Sequence, residues 1–173
     1  MEDKIYNVLF LSTKNSARSI MAEAILNHVG KGRFRAFSAG NQPALSLDPF
    51  AIDQLRIAKM LHDELHSKNW NEFSSSVAPE QDFVFTVSEE VRLENLPVWK
   101  GHPFTAHWRV DDPNEKIGSP DEMSKAFSRV FSQINWRISI FASLPLKSLS
   151  EMRLKIEMDN ISRLEDRRVL SRY

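Results

Sequence analysis

The sequence contains no cysteine. This absence excludes a disulfide framework, a thiolate zinc site and a cysteine nucleophile. Lysine and arginine together number 23, and so do aspartate and glutamate, which makes the formal net charge zero. Without an excess of positive charge there is no electrostatic reason to expect nucleic acid or an anionic membrane as the main partner. Any binding of an anion therefore has to come from a local arrangement of donors.

Long apolar runs are also missing. Residues Met1–Lys4 lack the basic start and the apolar core of a signal peptide, and the apolar stretch Ile138–Leu144 is too short to span a bilayer. We therefore expect a cytoplasmic protein without a membrane partner. The 173 residues, 42% hydrophobic and 27% charged, have a globular composition and no internal repeat. Residues 1–173 are accordingly predicted to form a single domain.

The spacing of the apolar residues predicts alternating strands and helices. Strands are predicted over residues 5–11, 33–38 and 82–87. Helices are predicted over residues 19–29 and 48–61, from Ser119 through at least Ile134, and over the charged C-terminal segment 148–173. The remaining long stretches, 70–76 and 97–113, are predicted to be loop and irregular structure.

A strand, a helix and a second strand in so few residues form a βαβ unit, which implies parallel pairing. We therefore predict the α/β class, as a three-layer αβα sandwich around a central, mostly parallel sheet. Ligands of such sheets bind outside the carboxyl ends of the strands. The loops after Leu11 and Val87 lie at that edge.

The loop after the first strand has the features of an anion site. Its backbone N–H groups and the N-terminus of the following helix can form a concavity for a tetrahedral anion. We expect Arg18 to present a fork of two donors, Asn15 to bond to the loop backbone, and Ser19 to bond to the side chain at position 12. A turn whose Ser and Asn side chains only cap the helix explains the segment equally well. The predicted oxyanion-binding residues are Ser12, Thr13, Lys14, Asn15, Ser16, Ala17, Arg18 and Ser19.

The segment Val8–Ala24 resembles the active-site segment of the low-molecular-weight protein tyrosine phosphatase superfamily, and more narrowly its thioredoxin-coupled arsenate reductase branch. That family has a C-x₅-R-S loop with an asparagine in its middle, followed by a Met-Ala-Glu-Ala helix. Further matches follow in the family's order over roughly residues 5–150: Phe37-Ser38-Ala39-Gly40, Ser67-Lys68-Asn69-Trp70, Phe83–Val87, Pro97-Val98-Trp99, Ala106-His107-Trp108 and Asp112-Pro113. The resemblance implies the family's fold, an oxyanion pocket in the loop, and Asp112 as the general acid.

The chain departs from this family at the residues that carry its thiol chemistry. The family's nucleophile is a thiolate cysteine, and the arsenate reductase branch adds two relay cysteines; these three positions hold Ser12, Ser88 and Leu96. A serine nucleophile needs a general base, and the sequence places neither His102 nor His107 within reach of the loop. Ser12 and Ser88 have the form of introduced Cys→Ser changes, whereas Leu96 indicates a natural lineage that lost its thiols.

Three functions remain open at this point. The resemblance favours a catalytically impaired member that binds phosphate or arsenate, as the free anion or on a phosphorylated protein partner. The second is a functional arsenate reductase or tyrosine phosphatase, either in a Cys→Ser form or using Ser12 with an unusual base. The third is a non-enzymatic interaction protein with a vestigial pocket. No cofactor or metal is predicted, since no metal motif surrounds His62 and His66.

Overall fold

The structure, a computed structural model, describes residues 2–115 and 117–164. Its sheet has four strands in the order β2-β1-β3-β4, and every neighbouring pair is parallel. The predicted α/β class with a parallel sheet is confirmed. The strands are β1 Tyr6–Ser12, β2 Phe34–Gly40, β3 Phe83–Thr86 and β4 Phe104–His107. The prediction of irregular structure over residues 97–113 is wrong for β4, a four-residue strand that exists because β3 supplies its pairing partner.

Five α-helices accompany this sheet in the described residues: α1 Arg18–Val29, α2 Pro49–Ile57, α3 Asn71–Ser74, α4 Pro120–Ser143 and α5 Glu151–Ser162. Side-chain caps fix three of the starts, because Asp48, Ser119 and Ser150 each accept a hydrogen bond from a backbone N–H of the first turn. Helix α2 ends earlier than predicted, and Lys59, directly after its C-cap Ala58, adopts a left-handed conformation with φ of 58°.

Two other predicted segments also differ in detail. Helix α3 lies within the stretch 70–76 that was expected to be loop. Of the charged helix predicted over residues 148–173, the structure places α5 over Glu151–Ser162, and residues 165–173 lie outside the described part of the chain.

Apolar layers lie on both faces of the sheet. On one face, Phe10 and Phe85 pack against α1 and α4, and Phe85 stacks on Trp108 with ring centroids 4.2 Å apart. On the other face, Leu11 and its neighbours pack against α3 and the loop residues that follow β3. This is the predicted three-layer sandwich, with a thin outer layer on the second face.

The strand register brings the carboxyl ends of the strands to one edge. Ser12 pairs with Gly40, Leu11 with Thr86, and Thr86 with His107. The loops that follow β1, β3 and β4 therefore leave the sheet side by side. Within the residues that the structure describes, none of the helices is both long enough and apolar enough to cross a membrane.

Candidate oxyanion-binding site

The loop between β1 and α1 is held by its carbonyl groups. Three of them accept hydrogen bonds from the segment 42–48: Thr13 from Gln42 N at 3.0 Å, Lys14 from Ala44 N at 2.9 Å, and Ser16 from Asp48 N at 2.9 Å. In a planar trans peptide the C=O and the following N–H point in opposite directions. The N–H groups of Lys14, Asn15 and Ala17 therefore point away from segment 42–48, towards the inside of the loop.

A cavity of about 290 Å³ lies on that inner side. It is at the small end of the range for ligand pockets, which suits a tetrahedral anion with a short attached group. All predicted loop residues except Ser19 line it, together with Asp112, which the family resemblance singled out. The lining residues are Ser12, Thr13, Lys14, Asn15, Ser16, Ala17, Arg18, Glu90, Asp112 and Asn114.

The fully buried Asn15 fixes the loop from beneath. Its Nδ2 donates to Ser19 Oγ at 2.8 Å and to Ser38 Oγ at 2.9 Å, and its Oδ1 accepts from Lys68 N at 2.9 Å. We expected this side chain to bond to the loop backbone; instead it bonds to the side chain of Ser19 and joins the loop to β2 and to the segment before α3. With φ of 46°, Asn15 adopts the left-handed conformation that asparagine tolerates better than most residues.

A buried ion pair supports this arrangement one layer further in. Ser38 donates to the carboxylate of Glu23, whose Oε2 lies 3.6 Å from Lys68 Nζ. Glu23 and Lys68 are both buried. The pair therefore connects α1, β2 and the strand-like segment at Lys68 through side chains that the sequence interpretation did not assign to the site.

Gly40, at the end of β2, allows the loop to lie against the sheet. A Cβ atom there would lie 2.5 Å from Thr13 O and 2.8 Å from Ser12 O. Both contacts are far inside the van der Waals distance and involve backbone atoms. Only glycine fits at this position without a shift of the loop.

The Ser12 hydroxyl is hydrogen-bonded, among the described residues, only to the loop and the first turn of α1. Its Oγ lies 2.6 Å from Ser19 Oγ, which is the predicted contact, and accepts from Asn15 N at 3.1 Å. Among the residues that the structure describes, no histidine or carboxylate is hydrogen-bonded to this hydroxyl. His107 bonds instead to Thr86 Oγ1 at 2.6 Å, and neither it nor His102 lines the cavity.

Arg18 and Asp112 meet at the wall of the cavity. The guanidinium donates to Val110 O at 3.1 Å and to Asp112 Oδ2 at 3.3 Å, and Asp112 Oδ1 accepts from Asn114 N at 3.0 Å. The Arg18 guanidinium was expected to direct its donors at an anion, but part of it is already hydrogen-bonded to the cavity wall. Glu90 adds a second carboxylate to the lining. Lys14 and Arg18 balance these two carboxylates, so the side chains of the lining carry no net positive charge. The loop N–H groups and the helix N-terminus are the other positive groups beside the cavity.

Several of these residues were missed by the sequence interpretation. Asp48 caps α2, donates its N–H to the loop and accepts from Asn114 Nδ2 at 3.2 Å, which ties the two walls together. Glu90 and Asn114 belong to no motif. Their positions shortly after Ser88 and Asp112 are the only sequence signal that could have found them.

The two former relay positions lie in different surroundings. The buried Ser88 hydroxyl lies 3.5 Å from Thr13 Oγ1, beside the loop. Leu96 packs against the apolar cluster that includes Leu9 and Trp99. One position therefore carries a buried polar group beside the loop, and the other carries a partly buried apolar side chain at the edge of the core.

Comparisons with known proteins agree with this fold. Residues 7–153 match the family model described as low molecular weight phosphotyrosine protein phosphatase. An arsenate reductase of Shouchella clausii is 31% identical over 140 residues, which cover 78% of this chain and 94% of that protein. The crystal structure of an arsenate reductase from Archaeoglobus fulgidus has a TM-score of 0.61 at 26% identity, over 79% of this chain and 99% of that one.

A second solved structure, an arsenate reductase in the phosphate binding state, has a TM-score of 0.63 at 23% identity and covers 80% of this chain and 98% of its own. At that identity the likeness concerns the fold. The family match spans the loop, the sheet and the Asp112 segment, and the relatives at higher identity are arsenate reductases. The chain therefore belongs to the low molecular weight phosphotyrosine protein phosphatase family, in its arsenate reductase branch.

Proposed function

We propose that this protein binds a tetrahedral oxyanion, phosphate or arsenate, in the loop Ser12–Ser19 without the thiol chemistry of its family. The observation that carries the proposal is the orientation of the loop peptides. Carbonyls of the loop are tied to segment 42–48, which turns the N–H groups of Lys14 and Ala17 towards the cavity, while the Asn15 N–H donates to Ser12 Oγ. Convergent N–H groups at a helix N-terminus bind anions even on a protein without net charge.

The family's chemistry starts with a thiolate, and no residue here replaces it. A serine hydroxyl is far less acidic than a thiol, and in hydrolases an adjacent base removes its proton. The described neighbours of Ser12 Oγ are the Ser19 hydroxyl and an N–H group, and neither accepts a proton at neutral pH. Asp112 keeps the place of a general acid beside Arg18, but a general acid alone does not break a phosphate ester.

Calorimetric titration with phosphate and with arsenate tests the proposal. We expect saturable binding to the full chain and a rise in Tm. Arg18→Ala should abolish both, since it removes the one arginine that lines the cavity among the residues that the structure describes. Arg109→Ala is the matched control, because Arg109 is exposed and pairs with Glu89 at 3.3 Å outside the cavity. A full chain that binds neither anion would sink the proposal and leave the vestigial pocket as the better account.

A functional enzyme in a Cys→Ser form is the second candidate. It is favoured by one observation, the retention of Asp112 on the cavity wall through two hydrogen bonds. Leu96, which packs against the apolar cluster, argues against a functional arsenate reductase, because a disulfide relay needs a thiol at that position. Hydrolysis of p-nitrophenyl phosphate by Ser12→Cys, with none by the Ser12 chain, would support an intact but interrupted site. Activity of the Ser12 chain would overturn the proposed impairment.

The proposed ligand is either the free anion or a phosphate group carried by a protein partner. A phosphorylated protein partner would compete with inorganic phosphate for the cavity, and a phosphopeptide competition assay measures this directly. A cytoplasmic location stays a prediction, to be tested by fractionation of cells that produce the full chain.

A further inference from the structure

The donors beneath Ser12 fix the direction of the hydrogen bonds around it. The first of them is the side-chain amide of Asn15. Its Oδ1 lies 2.9 Å from the backbone N–H of Lys68, which can only donate. This fixes the orientation of the amide, so that the two N–H bonds of Nδ2 point at Ser19 Oγ and Ser38 Oγ. Ser38 accepts one of them because its own proton goes to the Glu23 carboxylate.

Ser19 therefore accepts a hydrogen bond from Asn15 and has its own proton left to donate. In the described part of the chain, the only other partner of its oxygen is Ser12 Oγ, at 2.6 Å. Ser19 is fully buried, and a buried hydroxyl proton without an acceptor is unfavourable. The proton between these two residues accordingly belongs to Ser19.

Ser12 Oγ then accepts two hydrogen bonds, from the Ser19 hydroxyl and from the Asn15 N–H at 3.1 Å. Both of its lone pairs are used. Its own proton has no acceptor among the described residues, although the residue is only 4% exposed and lines the cavity. That proton points into the cavity.

We infer that the Ser12 hydroxyl is a hydrogen-bond donor to the bound oxyanion, which makes residue 12 a ligand group for a doubly charged phosphate, arsenate or phosphate monoester. This inference rests on the proposed function. A thiolate at the same position would place a negative charge against the anion, whereas the hydroxyl is neutral and donates. The replacement of cysteine by serine thus changes the residue from one that repels a dianion into one that helps to hold it.

Phosphate affinity of Ser12→Ala and Ser12→Cys, measured by calorimetry, tests the inference. Ser12→Ala loses a donor to a charged group and should bind phosphate about tenfold more weakly or worse. Ser12→Cys should bind more weakly than Ser12→Ala at pH 8, and the ratio of their dissociation constants should approach one as the pH falls and the thiol is protonated. Ser132→Ala, which removes a hydroxyl from α4 outside the cavity, is the matched control.

A double-mutant cycle separates this role from a structural one. If Ser19 acts by orienting the Ser12 proton, Ser19→Ala weakens phosphate binding in the Ser12 chain and has no further effect in the Ser12→Ala chain. Equal phosphate affinity of the Ser12 and Ser12→Ala chains would overturn the inference and leave the proposed function standing. No phosphate binding by the unmodified chain would overturn both.

Discussion

The Arg18 guanidinium and the Asp112 carboxylate, 94 positions apart in the sequence, lie 3.3 Å apart at the cavity wall. Arg18 is nearly buried, so its charge depends on this partner and on the Val110 carbonyl for compensation. The same carboxylate faces any anion that enters. The carboxylate that holds Arg18 in place would therefore also repel an anionic ligand.

Removal of the Asp112 charge should strengthen anion binding. We expect Asp112→Asn to lower the dissociation constant of phosphate about three- to tenfold at low salt, because one unit of repulsion is lost in a partly solvated site. The gain should shrink with increasing ionic strength. Calorimetry at two salt concentrations measures both effects. Asp111→Asn, one residue away and outside the cavity lining, is the control. Unchanged phosphate binding by Asp112→Asn would contradict the repulsion by the carboxylate, and weaker binding would show that the carboxylate favours the anion by holding Arg18 in place.

Gly40 should tolerate no side chain. Gly40→Ala forces a Cβ to within 2.5 Å of Thr13 O, so we expect a loss of about 1–3 kcal/mol in the free energy of unfolding and much weaker phosphate binding. Gly32→Ala is the comparison, since Gly32 has φ of +85° but nothing within 4 Å of the added Cβ. It should cost about 1 kcal/mol and leave phosphate affinity intact. Denaturant unfolding and calorimetry measure the two quantities, and equal phosphate affinity of the two variants would contradict this account.

The buried pair of Glu23 and Lys68 should be sensitive to the loss of one partner. Lys68→Met leaves the Glu23 carboxylate buried without its cation, and we expect a loss of about 3–5 kcal/mol in the free energy of unfolding. Adding Glu23→Gln to Lys68→Met should restore part of this stability, because the uncompensated charge is then gone. Urea unfolding of the single and double variants measures the coupling. A double variant less stable than Lys68→Met would mean that the carboxylate contributes through Ser38 rather than through the pair.

The ion pair between Lys4 and Asp82 predicts that the free energy of unfolding depends on pH in the alkaline range. A hydrogen bond to Asp82, at 2.6 Å, raises the pKa of Lys4 above its usual 10.5. Its contribution to stability is therefore full below pH 10.5 and is lost as the pH rises through the higher pKa of the folded state.

Because the Lys4 side chain is 57% exposed, the pair should contribute only a few tenths of a kcal/mol. The stability difference between the unmodified chain and Lys4→Met should be constant near neutral pH and vanish above the folded pKa. Denaturant unfolding across this range measures it, with Lys31→Met on another exposed lysine as control. A difference that grows with pH would have the wrong sign for this pair.

The sequence by itself was enough for the class of fold and for the resemblance of the loop after β1 to a phosphatase loop. Apolar runs such as Val8–Leu11 and the cap signals at Asp48 and Ser119 act locally, so their pattern predicts the strands and helices to which they belong. The serine at position 12, in place of the family's cysteine, is likewise read directly from the sequence. These features are properties of neighbouring residues, which the linear order preserves.

Only the tertiary structure decided which distant groups meet around that loop. Strand β4 exists because β3 pairs with it, Glu90 and Asn114 reach the cavity because parallel strands end at one edge, and Lys68 orients Asn15 from 53 positions away. The direction of the Ser12 proton follows from that last contact. No local pattern predicts it, because it depends on hydrogen-bond partners that the chain brings together only when the sheet has formed.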